Sequence, residues 1–285
     1  MQLTTKVFIS SDNHNGFGVS STIILGDNEA ILVDAQFTLA NAHRLVAEII
    51  KTGRNLTRIF ITHLHPDHFL GVEVIKSVFP AAEVIAYKQV AADVSDAWDF
   101  KIDYWGREVL KENGATRKFA IREIEEDTLL LEGQQIKIVG VMSGDCITVT
   151  PLWIPSIRTL IASDVVFSDA HVWMADMRTP ERIAGWMASL DRLEALGAKT
   201  VIPGHSPIRS SLSPSAIGFT RRYIGDFIKA LHRTENSRQL IAEIDRIYPG
   251  LPVRICLEYS ARILKDHYVW PGDWPLSLRE MACTL

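Results

Sequence analysis

The chain has 285 residues, 47% of them apolar, and a formal net charge of -4 at neutral pH. That length allows one large domain or two small ones, with enough apolar side chains for a sizeable core. The slight acidity leaves no basic footprint for nucleic acid or an anionic membrane surface, and no apolar run reaches the length of a membrane span. The opening residues, Met1 to Lys6, show no basic region followed by an apolar stretch. The cysteines, Cys146, Cys256 and Cys283, are odd in number and widely spaced, which argues against a disulfide framework. A cytoplasmic protein is expected.

Val7 to Ser10 reads as a short strand, followed by a turn-rich stretch through His14 and Gly18. Val19 to Leu25 and Ala30 to Val33 then form a hairpin around Gly26-Asp27-Asn28. Asp34 ends the second strand. Thr38 to Thr52 has helical spacing of Leu39, Leu45, Val46, Ile49 and Ile50, and Gly53 stops it. Ile59 to Ile61 is β-branched and aromatic, a buried strand, with a helix expected over Phe69 to Val78 and a strand over Glu83 to Tyr87. Residues 88–119 interleave acids with Trp98, Phe100, Tyr104 and Trp105. This reads as helical and longer than a connection needs, with the aromatics serving either as core or as a cap over a pocket.

The second half repeats the pattern. Thr128 to Leu131 and Gln135 to Val141 form a hairpin, Thr148 to Ile154 a strand, and Thr159 to Ala162 a strand ending in Ser163-Asp164. A helix opens at Thr179-Pro180-Glu181 and runs to Leu196, and the strand Lys199 to Ile202 ends in Pro203-Gly204-His205-Ser206. Helices follow over Ala216 to His232, Ser237 to Tyr248 and Pro252 to His267. No low-complexity linker separates a second domain. The chain therefore reads as one domain over residues 1–285, with a catalytic core of about 1–210 and a helical extension from about 213.

The chemistry concentrates after the strand Ile59 to Ile61, in His63-Leu-His65-Pro-Asp67-His68. His63 and His65 lie two apart in extended backbone and point the same way, while Pro66 stops the strand. Three imidazoles and a carboxylate in one turn suit zinc, iron or manganese. Asp164 and His205 each follow a further strand, and ligands gather at strand ends in α/β sheets.

The run His63-x-His65-x-Asp67-His68 resembles the H-x-H-x-D-H signature of the metallo-β-lactamase superfamily. Leu160-Ile-Ala-Ser-Asp164-Val-Val and Pro203-Gly-His205-Ser resemble that family's later ligand motifs. The resemblance implies an α/β fold, an αββα sandwich of two sheet-plus-helix halves, and two divalent metal ions, zinc first, with iron or manganese as alternatives. It also implies that Asp34 supports the metal loop without binding, a position at which a simple turn cap is the other reading.

One position departs from the family. Where a histidine usually stands in a Gly-His-Thr-like turn, this chain has Ser143-Gly144-Asp145-Cys146. The simplest transfer makes His63, His65 and Asp145 ligands of the first metal and Asp67, His68 and His205 ligands of the second, with Asp164 bridging. Cys146 as a thiolate ligand, or a first site left weak or empty, are the other possibilities. With Asp145 the cluster holds three carboxylates against two divalent ions, and a bridging hydroxide makes it neutral. A carboxylate there also tilts the first site from zinc toward iron or manganese.

The implied activity is binuclear, metal-dependent hydrolysis by a metal-bridging hydroxide, with Asp67 steering the hydroxide and passing its proton on. A small-molecule ester, lactone or thioester is the expected substrate, a β-lactam or phosphoester being further options. Neither nucleic acid nor a membrane is expected as a partner. The loop after Asp164 supplies Phe167, His171, Trp173 and Met174 as pocket or core residues, and His171 as a proton donor or oxyanion stabiliser. The rival readings are a mononuclear iron oxygenase resembling persulfide dioxygenases and a catalytically impaired metal-binding protein. Trp270, Trp274 and Leu276 make a homodimer face possible.

Overall fold

The computed structural model describes residues 2–11 and 16–269; His14, Trp270, Trp274, Leu276 and Cys283 lie outside them. Its first half contains β1 (Thr4–Ile9), β2 (Ser20–Leu25), β3 (Glu29–Val33), α1 (Leu39–Ile50), β4 (Asn55–Ile61), α2 (Pro66–Phe69), α3 (Val72–Val78), β5 (Glu83–Tyr87), α4 (Lys88–Lys101) and β6 (Arg122–Ile124). The second half contains β7 (Thr128–Leu131), β8 (Gln134–Ile138), β9 (Leu152–Ile154), β10 (Thr159–Phe167), α5 (Pro180–Glu194), β11 (Thr200–His205), α6 (Ser215–Arg233), α7 (Ser237–Ile247) and α8 (Arg254–Lys265). One sheet has the order β1-β2-β3-β4-β5-β6, the other β11-β10-β9-β8-β7.

The period-two alternation of strand side chains builds the layers. Phe60 joins Ile31 and Ile85 of the first sheet and Ile136, Leu152 and Ile161 of the second in a buried cluster between the sheets. Its neighbours Ile59 and Ile61 point the other way, into a cluster with Leu45 and Ile49 of α1 and Trp98 of α4. Leu160 and Val201 of the second sheet meet Trp186 of α5, Phe227 of α6 and Leu257 of α8 in a third cluster. The result is the αββα sandwich, with α6–α8 packed on the outer face of the second sheet. None of the described helices is long and apolar enough to cross a membrane.

Several elements differ from the sequence reading. The helix expected over Phe69 to Val78 is split, because a Cβ at Gly71 would strike the Ala35 carbonyl oxygen, and the Gly71 N–H instead donates to Gln36 O at 2.8 Å. Thr148 to Ile154 contracts to β9, with only an isolated Met142–Val149 bridge before it. Residues 122–124 add an edge strand, β6, that the sequence does not announce. After α4 the helix continues as a π-helical segment, Ile102–Leu110. Both roles weighed for the aromatics there are filled: Trp98 is core, against Phe69, while Trp105 lines a cavity.

The difference that matters most for the site is in β10. The sequence places Asp164 just past the strand's end; the strand instead runs on to Phe167 with its register to β11 shifted around Ser163. Ser163 sits at φ 47°, in the left-handed region that non-glycine residues rarely enter. Asp34, at the end of β3, has φ 59°. Both strained residues lie directly behind the histidines, where backbone strain commonly accompanies a site held in one geometry.

Candidate metal centre

The ends of β4 and β11, the stretch of β10 around Ser163 and Asp164, the α2 turn and the turn at residues 143–146 converge at one place. There, ligand atoms of His63, His65, Asp145 and Asp164 lie within 4.8 Å of one another, as do those of Asp67, His68 and His205. Asp164 touches both groups: Oδ1 is 3.1 Å from His68 Nε2, and Oδ2 is 3.0 Å from His205 Nε2 and 3.7 Å from His63 Nε2. Asp67 Oδ2 is 3.4 Å from His205 Nε2, and Asp145 Oδ2 is 2.8 Å from His65 Nδ1.

The surrounding hydrogen bonds decide which nitrogen each ring presents. Asp34 accepts from Thr62 N–H (2.9 Å), the Thr62 hydroxyl (2.8 Å) and His68 Nδ1 (2.8 Å). Because the Thr62 hydroxyl donates its only proton to Asp34, its oxygen accepts from His63 Nδ1 at 3.0 Å. His205 Nδ1 donates to Phe17 O at 2.8 Å. All three rings therefore hold their Nδ1 proton on the outside and turn Nε2 toward the cluster, the nitrogen that a metal would take in exchange for any proton it carries.

A glycine completes the packing. A Cβ at Gly204 would collide with the Asp164 carboxylate, so the residue before His205 must be glycine for Asp164 to reach the cluster. Phe167 stacks on His205, centroids 5.0 Å apart and planes 10° from parallel, which holds the ring from its other side.

Burial sharpens the electrostatics. The Asp164 carboxyl is held well below its usual range: burial opposes ionisation, but His68, His205 and His63 outweigh it. Burial also opposes charging of His205, yet Asp164 raises its imidazole to about 9. His63 is pushed well below 6.5, by burial first and by His68 next. Burial raises Asp145 to about 7, against the attraction of His65. Without metal the cluster thus retains protons at neutral pH.

Four buried ligand atoms, His63 Nε2, His68 Nε2, Asp145 Oδ1 and Asp164 Oδ1, have no hydrogen-bond partner among the described residues. His68 Nε2 and Asp164 Oδ1 are close but not aligned to bond each other. Buried polar atoms are almost always paired, so orphans gathered in one place fit a site for a cation. The donor set of imidazole and carboxylate suits divalent zinc, iron or manganese.

Cys146 is not among the gathered ligand atoms. Its thiol donates to Thr148 O at 3.8 Å, and burial keeps it well above its ordinary range and so protonated. His171 is not brought to the cluster either. It is buried against α6, with Nδ1 2.9 Å from the Tyr223 hydroxyl, and is not part of the cavity wall, which corrects its assignment as proton donor or oxyanion stabiliser. Of its loop companions Trp173 lines the cavity, whereas Phe167 and Met174 are core.

The sequence reading missed Thr62 and Ser163, which support the histidines, and Asp176, 3.9 Å from His65 Nε2 and bonded to Trp173 Nε1 at 2.8 Å. Thr62 had a signal, being adjacent to His63; Asp176 lies in a loop without any. A cleft opens over the cluster, reached by His65, Asp67, Asp145 and His205 and walled largely by apolar side chains.

A family model for the metallo-β-lactamase superfamily matches residues 14–205, more than half of the chain. The protein belongs to that superfamily. A metallo-β-lactamase family protein from Thermus thermophilus is 16% identical, with a TM-score of 0.63 over 98% of this chain and 94% of that one. A metallo-β-lactamase from Pontibacter korlensis is 19% identical, with a TM-score of 0.56 over 79% of this chain and all of that one. The DIM-1 metallo-β-lactamase exposed to ceftazidime is 20% identical, with a TM-score of 0.52 over 79% of this chain and 97% of that one. At these identities the likeness is one of fold. No curated protein matches the chain. Superfamily membership and the histidine–aspartate clusters together support a metal-dependent hydrolase.

Proposed function

We propose that the protein is a binuclear metallohydrolase acting on a small ester, lactone or thioester. The observation that carries this is the single Asp164 carboxylate set between two ligand groups beneath an open cleft. In this reading His63, His65 and Asp145 hold one divalent ion, Asp67, His68 and His205 hold the other, and Asp164 is shared. Two such ions supply Lewis acidity and a water activated for attack near neutral pH.

The protein's own groups do the remaining work. Asp34, Thr62 and the Phe17 carbonyl keep protons on the outer nitrogens of His68, His63 and His205, so the inner nitrogens stay available. Asp67, on the cleft wall, is the group placed to receive a proton and return it to the leaving group. The apolar walls exclude water around the reacting bond.

The test is metal content by elemental analysis of protein purified without added metal, followed by ester, lactone, thioester, β-lactam and phosphodiester panels. About two metals per chain with turnover of an acyl substrate is the expected result. A single iron per chain, with thiol-dependent oxygen uptake, would replace this reading with an oxygenase. Two metals without turnover on any panel would leave a metal-binding protein.

A further inference from the structure

The acids that interleave with aromatic residues over positions 88–119 meet different fates. Asp96, Asp99 and Asp103 are exposed, with Asp99 3.2 Å from Lys118 and Asp103 paired with Arg107. Asp93, on α4, is half-buried, and its Oδ2 accepts from the Thr148 hydroxyl at 2.6 Å. Thr148 belongs to the loop that carries Asp145.

That loop is short and closed at its base. Met142 and Val149 exchange backbone hydrogen bonds of 2.9 and 3.0 Å, with residues 143–148 between them. On one side the Asp145 N–H donates to Asp164 O of β10 at 3.0 Å; on the other, Thr148 is tied to α4. A short hydrogen bond to a carboxylate is among the stronger kinds. The helix behind it is firmly seated: Val90, Val94 and Trp98 are fully buried, and the Trp98 ring stands edge-on to Phe69, the residue after His68, at 4.9 Å. One helix therefore touches both the segment bearing Asp67 and His68 and the loop bearing Asp145. His65, which meets Asp145 at 2.8 Å, has Asp176 no nearer than 3.9 Å at its other nitrogen, so the ring gives Asp145 little guidance of its own. The placement of Asp145 depends on its loop.

We propose that Asp93, acting through the Thr148 hydroxyl, is a positioning residue for Asp145, so that α4 sets the metal affinity of the His63–His65–Asp145 group. This rests on the ligand assignment made under the proposed function. A ligand held in place in advance leaves less ordering to be done when the ion arrives.

The test is titration of the metal-free, full-length protein with Zn²⁺ against a chromophoric chelator, resolving the dissociation constant of each site. It uses wild type, Asp145→Ala, Asp93→Ala, Thr148→Val, Thr148→Ser and the double variant Asp93→Ala/Thr148→Val, with thermal melting of each metal-free protein. Asp93→Ala and Thr148→Val should each weaken, by about 10–100-fold, the same site that Asp145→Ala removes, while the other site changes less than about threefold. Thr148→Ser, which keeps the hydroxyl, should stay within about threefold of wild type at both sites. The double variant should lose no more than the worse single one, because both changes remove the same hydrogen bond. Equal weakening of both sites, additive losses in the double variant, or a Thr148→Val protein that binds like wild type overturns the proposal. If wild type takes up a single metal that Asp145→Ala removes and Thr148→Val weakens, the binuclear reading fails and the positioning of Asp145 stands. If Asp145→Ala leaves uptake unchanged, the ligand assignment fails and the proposal with it. If Asp93→Ala melts early, Thr148→Val against Thr148→Ser decides.

Discussion

His68 and His205, in one ligand group, each donate the outer ring nitrogen to a protein oxygen 2.8 Å away, Asp34 for one and the Phe17 carbonyl for the other. In the other group, His65 has Asp176 at 3.9 Å from its outer nitrogen, beyond hydrogen-bond reach, and its inner nitrogen faces Asp145 on a turn. His65 is also the one partly exposed histidine of the cluster. The two groups share residue types but differ in how firmly the fold orients them. A ligand set oriented in advance binds metal more tightly, because less ordering remains to be done on binding. The Asp67–His68–His205 group should therefore fill first and empty last.

Asp164→Asn removes the charge shared by both groups and should have the largest effect. Metal content should fall from about two to one or fewer per chain, and hydrolysis by about a thousandfold or more, in elemental analysis and steady-state kinetics. Retention of two metals would remove Asp164 from the ligand set.

Asp145→Ala breaks the comparison on one side only. It should leave about one metal per chain, whereas Cys146→Ser should leave both, because the thiol is directed to Thr148 O. The opposite outcome would make Cys146 the ligand. Asp34→Asn and Asp176→Asn sharpen the comparison at the supporting level. The first should weaken the tighter site about 10–100-fold in chelator competition, the second should change the weaker site only a few-fold.

The pH dependence tests both groups at once. His205, raised from 6.5 to about 9 in the metal-free fold, contributes stability that is complete below about pH 6.5 and lost as pH rises through 9. Asp145, raised from 3.8 to about 7, likewise favours the metal-free fold when protonated and loses that contribution as pH rises through 7. Metal displaces these same protons, so its affinity should climb by up to about tenfold per pH unit for each proton released. Thermal melts should show the gap between metal-loaded and metal-free protein widening from pH 6 to pH 9. A constant gap would mean that no proton is exchanged for metal.

Much of the site was legible because metal chemistry leaves a dense local signature. His63, His65, Asp67 and His68 fall within six positions, and no common structural role asks for such a run. Asp164 and His205 were findable as polar residues after apolar runs, although β10 continues past Asp164 to Phe167. His171 is misread because a loop histidine near a ligand motif looks the same in sequence whether it faces a cleft or, as here, Tyr223 in the core.

The sequence by itself determined the alternation of strands and helices and the position of the candidate metal-binding run, since both follow from local periodicity and side-chain chemistry. Tertiary structure alone decided the rest. The choice of Asp145 over Cys146 to face His65 depends on how one turn packs against β10, where the Asp145 N–H donates to Asp164 O at 3.0 Å. The hydrogen bond from Thr148 to Asp93 depends on where a helical insertion docks. Sequence spacing encodes which residues share a face of one element; it does not encode which of two adjacent side chains a distant strand will meet.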